Sequence, residues 1–324
     1  MLNHQAQKSI ALRNLIDSSS RQIWHACMKG QAKKIAHALE KVRYRELWRD
    51  QLTNQQANAL IIRLLSNSRP FLVGRIGHTE GRIVGESFFR NGQYGRMTKK
   101  EAHQYSGIFP VTPELLSSFA SIYAASVAKV DLLGFWQTAY QARLLATHHP
   151  QIPLAPLASL EPYLQPSPWS AALQGRRVLV VHPFAETIMY QYANNRMGLF
   201  ANPAILPDFD LQVLSPPQTL APLTAGYVNW LEALEHLTEN VLRRQFDLAL
   251  LGCGAYGLPL GAAIKDAGLQ AIHLGGALQV LFGIRGKRWE KMPGIAALMN
   301  EHWRRPAEVE TPVSAACVDG GCYW

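Results

Sequence analysis

The chain is poor in cysteine and has no long apolar run. Its 324 residues include four cysteines, Cys27, Cys253, Cys317 and Cys322, whose irregular spacing fits neither a disulfide framework nor a tetrahedral zinc site. No stretch approaches the roughly 18 uninterrupted apolar residues of a membrane-spanning helix. The first residues lack the basic-then-apolar pattern of an export signal, so we expect a cytoplasmic protein with reduced thiols.

Acidic residues are scarce near the start of the chain. The formal net charge is +9, and the first fifty residues carry ten Lys or Arg against four Asp or Glu. A basic surface attracts nucleotide phosphates, nucleic acid or anionic lipid headgroups, although a solvated helical face has the same composition. Ile35, Leu39 and Val42 recur at helical spacing, and a second apolar stripe stops before Pro70. We therefore predict a helical N-terminal extension over residues 1–69.

Short apolar segments alternate with helical patterns between residues 70 and 305. Strands are predicted at 71–73, 130–135, 177–181, 211–214, 246–251 and 271–274. Because these strands are continuously apolar, they predict a sheet that is covered by helices on both faces. The predicted fold class is α/β, a doubly wound and mostly parallel Rossmann-like sheet. A proline-rich connector spans 149–170, and residues 306–324 form an irregular C-terminal tail.

Residues 246–276 predict a strand, a glycine turn, a helix and a second strand. The turn reads Gly252-Cys253-Gly254-Ala255-Tyr256-Gly257, a G-x-G-x-x-G pattern whose amides can approach a phosphate. A dinucleotide site also needs an acidic residue roughly twenty positions later. The second strand instead ends in Gly275-Gly276, so we expect neither NAD nor flavin. A phosphate-binding turn and a purely structural turn both remain open.

Chemically active side chains follow the first predicted strand. Ligands of parallel α/β sheets bind beyond the carboxyl ends of the strands. There the sequence reads Gly74-Arg75-Ile76-Gly77-His78-Thr79-Glu80. Arg75 can pair with a phosphate, while His78 and Glu80 lie at a helix start and are candidates to hold a divalent metal, orient a diphosphate or move a proton. The structural alternative is that Glu80 only stabilises the helix start.

Three further features follow later strands. His182 and Glu186 share a strand-to-helix turn, which suits either an acid/base pair or a capped turn. A cluster after the last strand suits either a diphosphate clamp or a solvated basic loop, and its members are Arg285, Lys287 and Arg288. Cys253 lies at a predicted helix N-terminus, which lowers a thiol pKa, but the sequence offers it no His or Asp partner for nucleophilic catalysis.

In this order, these segments resemble the GT-D-fold glycosyltransferases, a bacterial group with a Rossmann-like fold. The resemblance covers roughly residues 70–290 and includes the Arg75–Glu80 turn, the strand at 178–181, and the late strand that starts at Asp247 with its glycine turn. It continues through the helix and strand that follow, up to the basic segment ending at Trp289. The stretches 160–163, 181–186 and 275–283 also resemble uncharacterised bacterial proteins associated with surface polysaccharide synthesis.

The resemblance implies transfer of a hexosyl group from a nucleotide-diphosphate sugar to a polysaccharide, glycoconjugate or lipid-linked acceptor. In that family an Asp-x-Glu motif engages the metal and the donor diphosphate, and here the motif reads His78-Thr79-Glu80. Two alternatives stay open: Mn²⁺ or Mg²⁺ held by Glu80, with Mn²⁺ tolerating histidine better, and a metal-free mechanism that uses the basic cluster. Glu80 is the expected base, and His182 and Glu186 are its competitors.

The site residues expected to bind the nucleotide sugar come from all these turns, namely Gly74, Arg75, Gly77, Gly252, Cys253, Gly254, Gly275, Gly276, Arg285, Lys287 and Arg288. The basic N-terminus would allow peripheral contact with the anionic inner face of a membrane. A non-catalytic nucleotide- or sugar-binding protein of a polysaccharide assembly system is the main alternative. A redox enzyme lacks the ribose-binding acid, and nucleic-acid binding has only the net charge in its favour.

Overall fold

The computed structural model describes residues 42–324, except 137, 139, 150, 221, 222, 313, 314 and 317–319. The chain divides into two compact units, residues 1–49 and residues 50–324. Of the first unit the structure describes residues 42–49, which contain the short helix α1, Arg45–Arg49. The helices predicted over residues 1–41, with Ile35 and Leu39, lie outside the described residues. No helix of the described part of the chain is long and apolar enough to cross a membrane.

The second unit is built on one sheet of seven strands, all parallel, in the order β3-β2-β1-β7-β6-β4-β5. The strands are β1 Phe71–Arg75, β2 Leu132–Phe135, β3 Leu154–Pro156, β4 Arg177–Val181, β5 Asp210–Leu214, β6 Leu248–Leu251 and β7 Gln270–His273. The predicted fold class, a doubly wound parallel sheet, is confirmed. Each of the six predicted strands is present.

Helices connect the strands and cover the sheet. The α-helices of this unit are α2 Asn54–Leu65, α3 His78–Phe89, α4 Arg96–Ser106, α5 Pro113–Val127, α6 Gln141–His148, α7 Ala185–Asn195, α8 Trp230–Leu242, α9 Gly257–Asp266, α10 Leu278–Leu281, α11 Lys287–Glu290 and α12 Pro293–Ala296. Short 3₁₀ turns occur at Leu157–Leu160, Pro162–Leu164, Trp169–Leu173, Arg196–Gly198, Pro203–Ile205, Gly254–Tyr256, Gly275–Ala277 and Glu308–Glu310.

The central strands are buried along their length, as their apolar sequences require. Every residue of β2, β6 and β7 is buried, and β4 is buried from Val178 onward. The strand β3, Leu154–Pro156, was not predicted and lies inside the proline-rich connector. It has three residues and occupies the sheet edge, where a proline can be tolerated because one side of the strand donates no ladder hydrogen bonds.

Two aspartates at the amino ends of the strands form hydrogen bonds that link neighbouring segments. Asp247, which precedes β6, accepts hydrogen bonds from the backbone N–H of Arg177 (2.9 Å) and from its guanidinium Nη2 (2.6 Å). Asp131, which precedes β2, accepts from the N–H of Leu72 and from Lys265 Nζ. Asp247 therefore has a structural role, and it lies at the amino ends of the strands, opposite the edge where ligands are expected.

Both ends of the predicted catalytic domain extend further than its sequence boundaries of 70 and 305. Helix α2, which falls in the predicted N-terminal extension, belongs to the second unit. Its Asn58 side chain donates to the carbonyl of Ser167 and accepts from the N–H of Trp169, and its apolar face is buried. Tail residues of 306–324 also belong to this unit, and the carbonyls of Cys322 and Trp324 accept hydrogen bonds from the N–H groups of Arg288 and Lys287. Buried contacts between distant segments, rather than the change in composition, set these limits.

Candidate functional site

Two adjoining cavities, called here the large and the small compartment of the cavity, lie at the carboxyl edge of the sheet, near β1, β7, β6 and β4. In the sheet, β2 lies next to β1 toward one edge, and β5 lies next to β4 toward the other edge. The cavity therefore lies where the strand order changes direction, which is where ligands of such sheets bind. The large compartment has a volume of about 420 Å³ and the small one about 140 Å³. Five residues line both compartments, namely Tyr105, Ser106, Gly254, Gly276 and Tyr323.

Glu80 is a buried carboxylate in the wall of the large compartment. It lies in the first turn of α3, is 7% exposed, and packs against Gly77, the N-cap residue of this helix. Burial raises its pKa, and hydrogen bonding by its own backbone and by Ser106, together with the charge of Arg75, opposes that shift. The result is a carboxyl group that holds its proton more tightly than an exposed glutamate does.

Arg75, the last residue of β1, supplies a positive charge beside Glu80. Its guanidinium stacks over the ring of Trp136 with 4.9 Å between the charge centre and the ring centroid, and Trp136 Nε1 is held by the carbonyl of Ile76. Among the described residues, this guanidinium makes no hydrogen bond or ion pair. A planar fork of donors fixed by stacking and facing a cavity suits a phosphate.

His78 and Glu80 do not converge, although they are two residues apart. The exposed His78 accepts a hydrogen bond at Nε2 from Arg82 Nη2 (2.7 Å), and Arg82 also pairs with Glu101. The carboxyl of Glu80 faces Gly77 instead. No group of three or more His, Cys, Asp or Glu among the described residues is arranged to hold a metal ion. The side chains present therefore do not fit the metal site that the motif implied.

Two glycine turns offer backbone N–H groups at the floor of the cavity. Gly254 and Gly275, in the turns after β6 and β7, have φ values of +58° and +62°, a region that disfavours residues with a side chain. Within the described chain, the N–H groups of Gly254, Ala255, Gly275 and Gly276 donate to no acceptor. Clusters of free amides suit anions, so phosphate binding by these turns stays a prediction. Gly252 and Cys253 line the small compartment beside them.

The C-terminal tail completes the wall between the compartments. Tyr323 covers Gly276 so closely that a Cβ there would lie 2.3 Å from the tyrosine Cε1. Its hydroxyl accepts a hydrogen bond from Arg288 Nη1 at 3.0 Å. Of the predicted basic cluster, Arg288 alone lines the cavity, whereas Lys287 is exposed and Arg285 pairs with Glu290.

The predicted acid/base pair of His182 and Glu186 is not formed. His182 is 2% exposed, and burial lowers its pKa to about 3. Its Nδ1 accepts a hydrogen bond from the N–H of Phe184 at 3.0 Å, so the ring is neutral with its proton on Nε2. The side chain of Glu186 is exposed outside the cavity. Neither residue caps helix α7: its N-cap residue, Phe184, makes no side-chain cap, and the N–H groups of Glu186 and Thr187 donate to the Glu310 carboxylate instead.

Cys253 and Gly74, two of the residues predicted to bind the nucleotide sugar, are both buried. Burial raises the pKa of the Cys253 thiol to about 12, which outweighs the lowering expected from the helix start. Gly74 lies inside β1, where a Cβ would meet Leu258 at 2.9 Å, and it does not line the cavity.

Several site residues escaped the sequence analysis because they come from distant segments. Tyr123 on α5 is one of them, and its hydroxyl accepts a hydrogen bond from the N–H of Gly77 at 3.3 Å. Burial raises the pKa of Tyr123, and the nearby charge of Glu80 adds to that rise. Burial lowers the pKa of His273 to about 3, and its ring lines the large compartment. Glu161, outside the lining of the cavity, is a second buried carboxyl group; burial raises its pKa, and hydrogen bonding with Tyr163 and the charge of Arg75 partly oppose that shift.

One signal for Glu161 was present in the sequence. It lies within the stretch 160–163, which resembles polysaccharide-associated proteins. That stretch follows no predicted strand, so the rule that places ligands at strand ends did not include it.

Protein-family models and curated proteins give no match to this chain. Among solved structures, two matches are to the domain of unknown function 1792. One is described as having "a distinct glycosyltransferase fold"; it is 13% identical, with a TM-score of 0.46, over 84% of this chain and 96% of that chain. The other, a selenomethionine-substituted structure, is 15% identical, with a TM-score of 0.41, over 74% of this chain and 82% of that chain. At this level of likeness, the function has to be inferred from the site.

Proposed function

We propose that this protein is a glycosyltransferase that moves a hexosyl group from a nucleotide-diphosphate sugar to a polysaccharide or glycoconjugate acceptor. The observation that carries the proposal is that Arg75 and Glu80 both line the large compartment and are close enough for their charges to interact. A stacked guanidinium with unused donors lies beside a buried carboxyl group with a raised pKa. One group suits a leaving diphosphate and the other suits proton removal from a hydroxyl.

The diphosphate would be held by fixed donors. Arg75 and Arg288 line the compartment, and the Gly254 and Gly276 amides lie at the wall that the two compartments share. Donors that are already in place stabilise negative charge as it develops on the leaving group, because they need not reorganise during the reaction.

Glu80 would act as the base. As the acceptor oxygen bonds to the anomeric carbon, the bond from that carbon to the diphosphate breaks, and the hydroxyl proton passes to the Glu80 carboxylate. Burial raises the pKa of Glu80, which makes its carboxylate a stronger proton acceptor than an exposed one. The depressed pKa of His182 makes it unsuitable for this role near neutrality. The products are the glycoside and a nucleoside diphosphate.

The acceptor and the location extend the proposal beyond the site. We propose a saccharide or lipid-linked acceptor, and contact of the basic first fifty residues with an anionic membrane at its cytoplasmic face. The same cavity would also serve a non-catalytic nucleotide-sugar sensor, which needs the cations but not the base. The role of Glu80 therefore separates the two functions.

The test uses the full chain and nucleotide-linked hexoses. We expect UDP-, GDP- or dTDP-linked hexoses to raise the melting temperature, and slow release of nucleoside diphosphate to be lost in Glu80→Gln. Glu86→Gln is the matched control, because Glu86 is also buried on α3 but does not line the cavity. Binding without release, unchanged in Glu80→Gln, would establish the sensor instead. No binding of any nucleoside diphosphate would refute both.

A further inference from the structure

His273 lines the large compartment, and the reaction proposed above gives it no role. It is the last residue of β7 and is 4% exposed. Its backbone is in register with Leu251, the last residue of β6, so it lies at the carboxyl edge of the sheet, where ligands of parallel sheets bind. The two nitrogens of its ring have different surroundings.

The imidazole of His273 fits beside α9 because position 257 has no side chain. Gly257 is the last glycine of the G-x-G-x-x-G turn, and a Cβ there would lie 2.2 Å from His273 Cε1 and 2.3 Å from Nδ1. The φ of Gly257 is −59°, which any residue can adopt, so its backbone conformation does not require glycine. The third glycine of this pattern therefore makes room for the imidazole ring of the next strand.

The carbonyl of Leu251 fixes the ring proton of His273 on Nδ1. This nitrogen lies 3.3 Å from the Leu251 oxygen, and because a carbonyl oxygen only accepts, Nδ1 has to donate. Burial, together with the positive charge of Arg75, lowers the pKa of the ring to about 3, so the ring is neutral near neutrality. A neutral ring that donates from Nδ1 has an unused lone pair on Nε2.

The Nε2 atom of His273 is open to the large compartment. Among the described residues it makes no hydrogen bond. It does not belong to the fully enclosed polar atoms without a partner, so it retains access to the compartment that the ring lines. An acceptor in the wall of a cavity is satisfied by a donor on whatever occupies that cavity.

Arg75 lies close to this acceptor. The Arg75 side chain runs along Gly275, where a Cβ would lie 3.5 Å from Arg75 Cδ, and Gly275 follows His273 by two residues. Phosphate oxygens held by Arg75 are acceptors, so the lone pair of His273 Nε2 repels them. In a nucleotide sugar, the groups next to the diphosphate that can donate are sugar hydroxyls.

We infer that His273 Nε2 accepts a hydrogen bond from a hydroxyl group of the hexosyl unit and thereby determines which hexose is bound. This role rests on the proposed function, because the hexosyl unit is attached to the diphosphate that Arg75 would hold. It goes beyond that function by naming the residue that recognises one sugar hydroxyl. A site of this kind rejects an analogue without the hydroxyl, because its buried acceptor is then left unpaired.

Calorimetric titration of the full chain tests this role. UDP-glucose, GDP-mannose and dTDP-glucose are compared first, and the tightest binder is then compared with its nucleoside diphosphate and with inorganic pyrophosphate. His273→Asn retains a donor for the Leu251 carbonyl but lacks the acceptor at Nε2. We expect it to weaken the nucleotide hexose by about tenfold and to leave the other two ligands unchanged. His236→Asn is the matched control, because His236 is exposed on α8 and does not line the cavity.

Deoxy analogues of the same nucleotide hexose address the hydroxyl itself. In the parent protein, one of the 2-, 3-, 4- and 6-deoxy analogues should bind about tenfold more weakly than the complete hexose. In His273→Asn that analogue and the complete hexose should bind equally, because the acceptor that distinguishes them is gone. The same loss in both proteins would overturn the role of His273. Equal weakening of the nucleoside diphosphate or of pyrophosphate by His273→Asn would overturn it too, since neither ligand has the hexose.

Nuclear magnetic resonance on the unmodified protein covers the case in which His273→Asn does not fold. With ¹⁵N-labelled histidine, the Nε2 resonance of His273 should shift further when the nucleotide hexose replaces the nucleoside diphosphate. An unchanged resonance with the hexose bound would overturn the role of His273 while leaving the proposed function intact. Absence of binding by the nucleotide hexoses, nucleoside diphosphates and pyrophosphate would instead refute the proposed function.

Discussion

The carboxyl group of Glu80 lies against Gly77, and a Cβ at position 77 would be only 1.9 Å from Glu80 Oε2. The backbone of Gly77 has φ −71° and ψ 158°, which any residue can adopt, so the glycine is required by the side chain that covers it. The position of Glu80 in the cavity therefore depends on a missing side chain three residues earlier.

Gly77→Ala should move the Glu80 carboxyl away from its present position without unfolding the chain. We expect transferase activity, or slow nucleoside diphosphate release, to fall about as far as in Glu80→Gln, by roughly a hundredfold, which is typical of losing a positioned base. Gly95→Ala is the matched control. Gly95 also precedes a helix with φ −67°, and a Cβ there would meet its nearest neighbour at 3.6 Å. Equal activity in both alanine variants would contradict the assigned role of Glu80.

Glu80→Gln should stabilise the fold at high pH. Because burial raises the folded-state pKa of Glu80, the folded state retains this proton more strongly than the unfolded state. The corresponding stability is present below the unfolded pKa and is lost as pH rises through the folded pKa. The loss amounts to about 1.4 kcal/mol per unit of pKa shift. Urea unfolding at about pH 4 and pH 8 should therefore show the variant gaining on the parent protein as pH rises; a constant difference would argue against a raised pKa.

Arg75→Lys should weaken binding of pyrophosphate and of nucleoside diphosphates together. A lysine keeps the charge but loses the planar stack on Trp136 and the fork of donors, so we expect a loss of about tenfold or more. Arg177→Lys is the control, because Arg177 forms an ion pair with Asp247 at the opposite edge of the sheet. Calorimetry on both variants provides the measurement. Full affinity in Arg75→Lys would show that Arg75 does not bind the diphosphate.

Acid should destabilise this protein through its buried histidines. Burial lowers the pKa values of His182 and His273 to about 3, whereas an exposed histidine has a pKa of about 6.5. The unfolded state therefore takes up protons first, and stability falls as pH drops from 6.5 toward 3, by on the order of 4 kcal/mol for each ring. In His182→Asn, which retains an acceptor for Phe184, the decline measured by urea unfolding should be shallower. An unchanged pH profile would show that His182 is not the source.

Cys253 should resist alkylation in the folded protein. Its side chain is 5% exposed, and burial raises the pKa of its thiol to about 12, so little reactive thiolate forms near neutrality. Iodoacetamide treatment followed by peptide mass spectrometry should label Cys253 slowly in the native state and rapidly in denaturant. Rapid native labelling would indicate that the helix start, rather than burial, controls this thiol.

Local patterns in the sequence were sufficient for the sheet and for the positions of its turns. Continuous apolar segments such as Leu248–Leu251 determine buried parallel strands, because only a strand covered on both faces buries every side chain. Glycines at the strand ends likewise mark backbone conformations that other residues avoid, as at Gly254 and Gly275. The strand ends in turn predicted Arg75, Glu80 and the two glycine turns at one edge.

The tertiary structure alone decided which side chains share the cavity and in what ionisation state. Tyr323 reaches Gly276 from a segment nearly fifty residues later, and burial keeps His182 neutral and Cys253 protonated. No local pattern contains this information, because desolvation depends on every segment that packs around a group. The sequence by itself determined the scaffold and the positions of its glycine turns. Packing decided that Glu80 lines the large compartment, that His182 is buried and neutral, and that Glu186 lies outside the cavity.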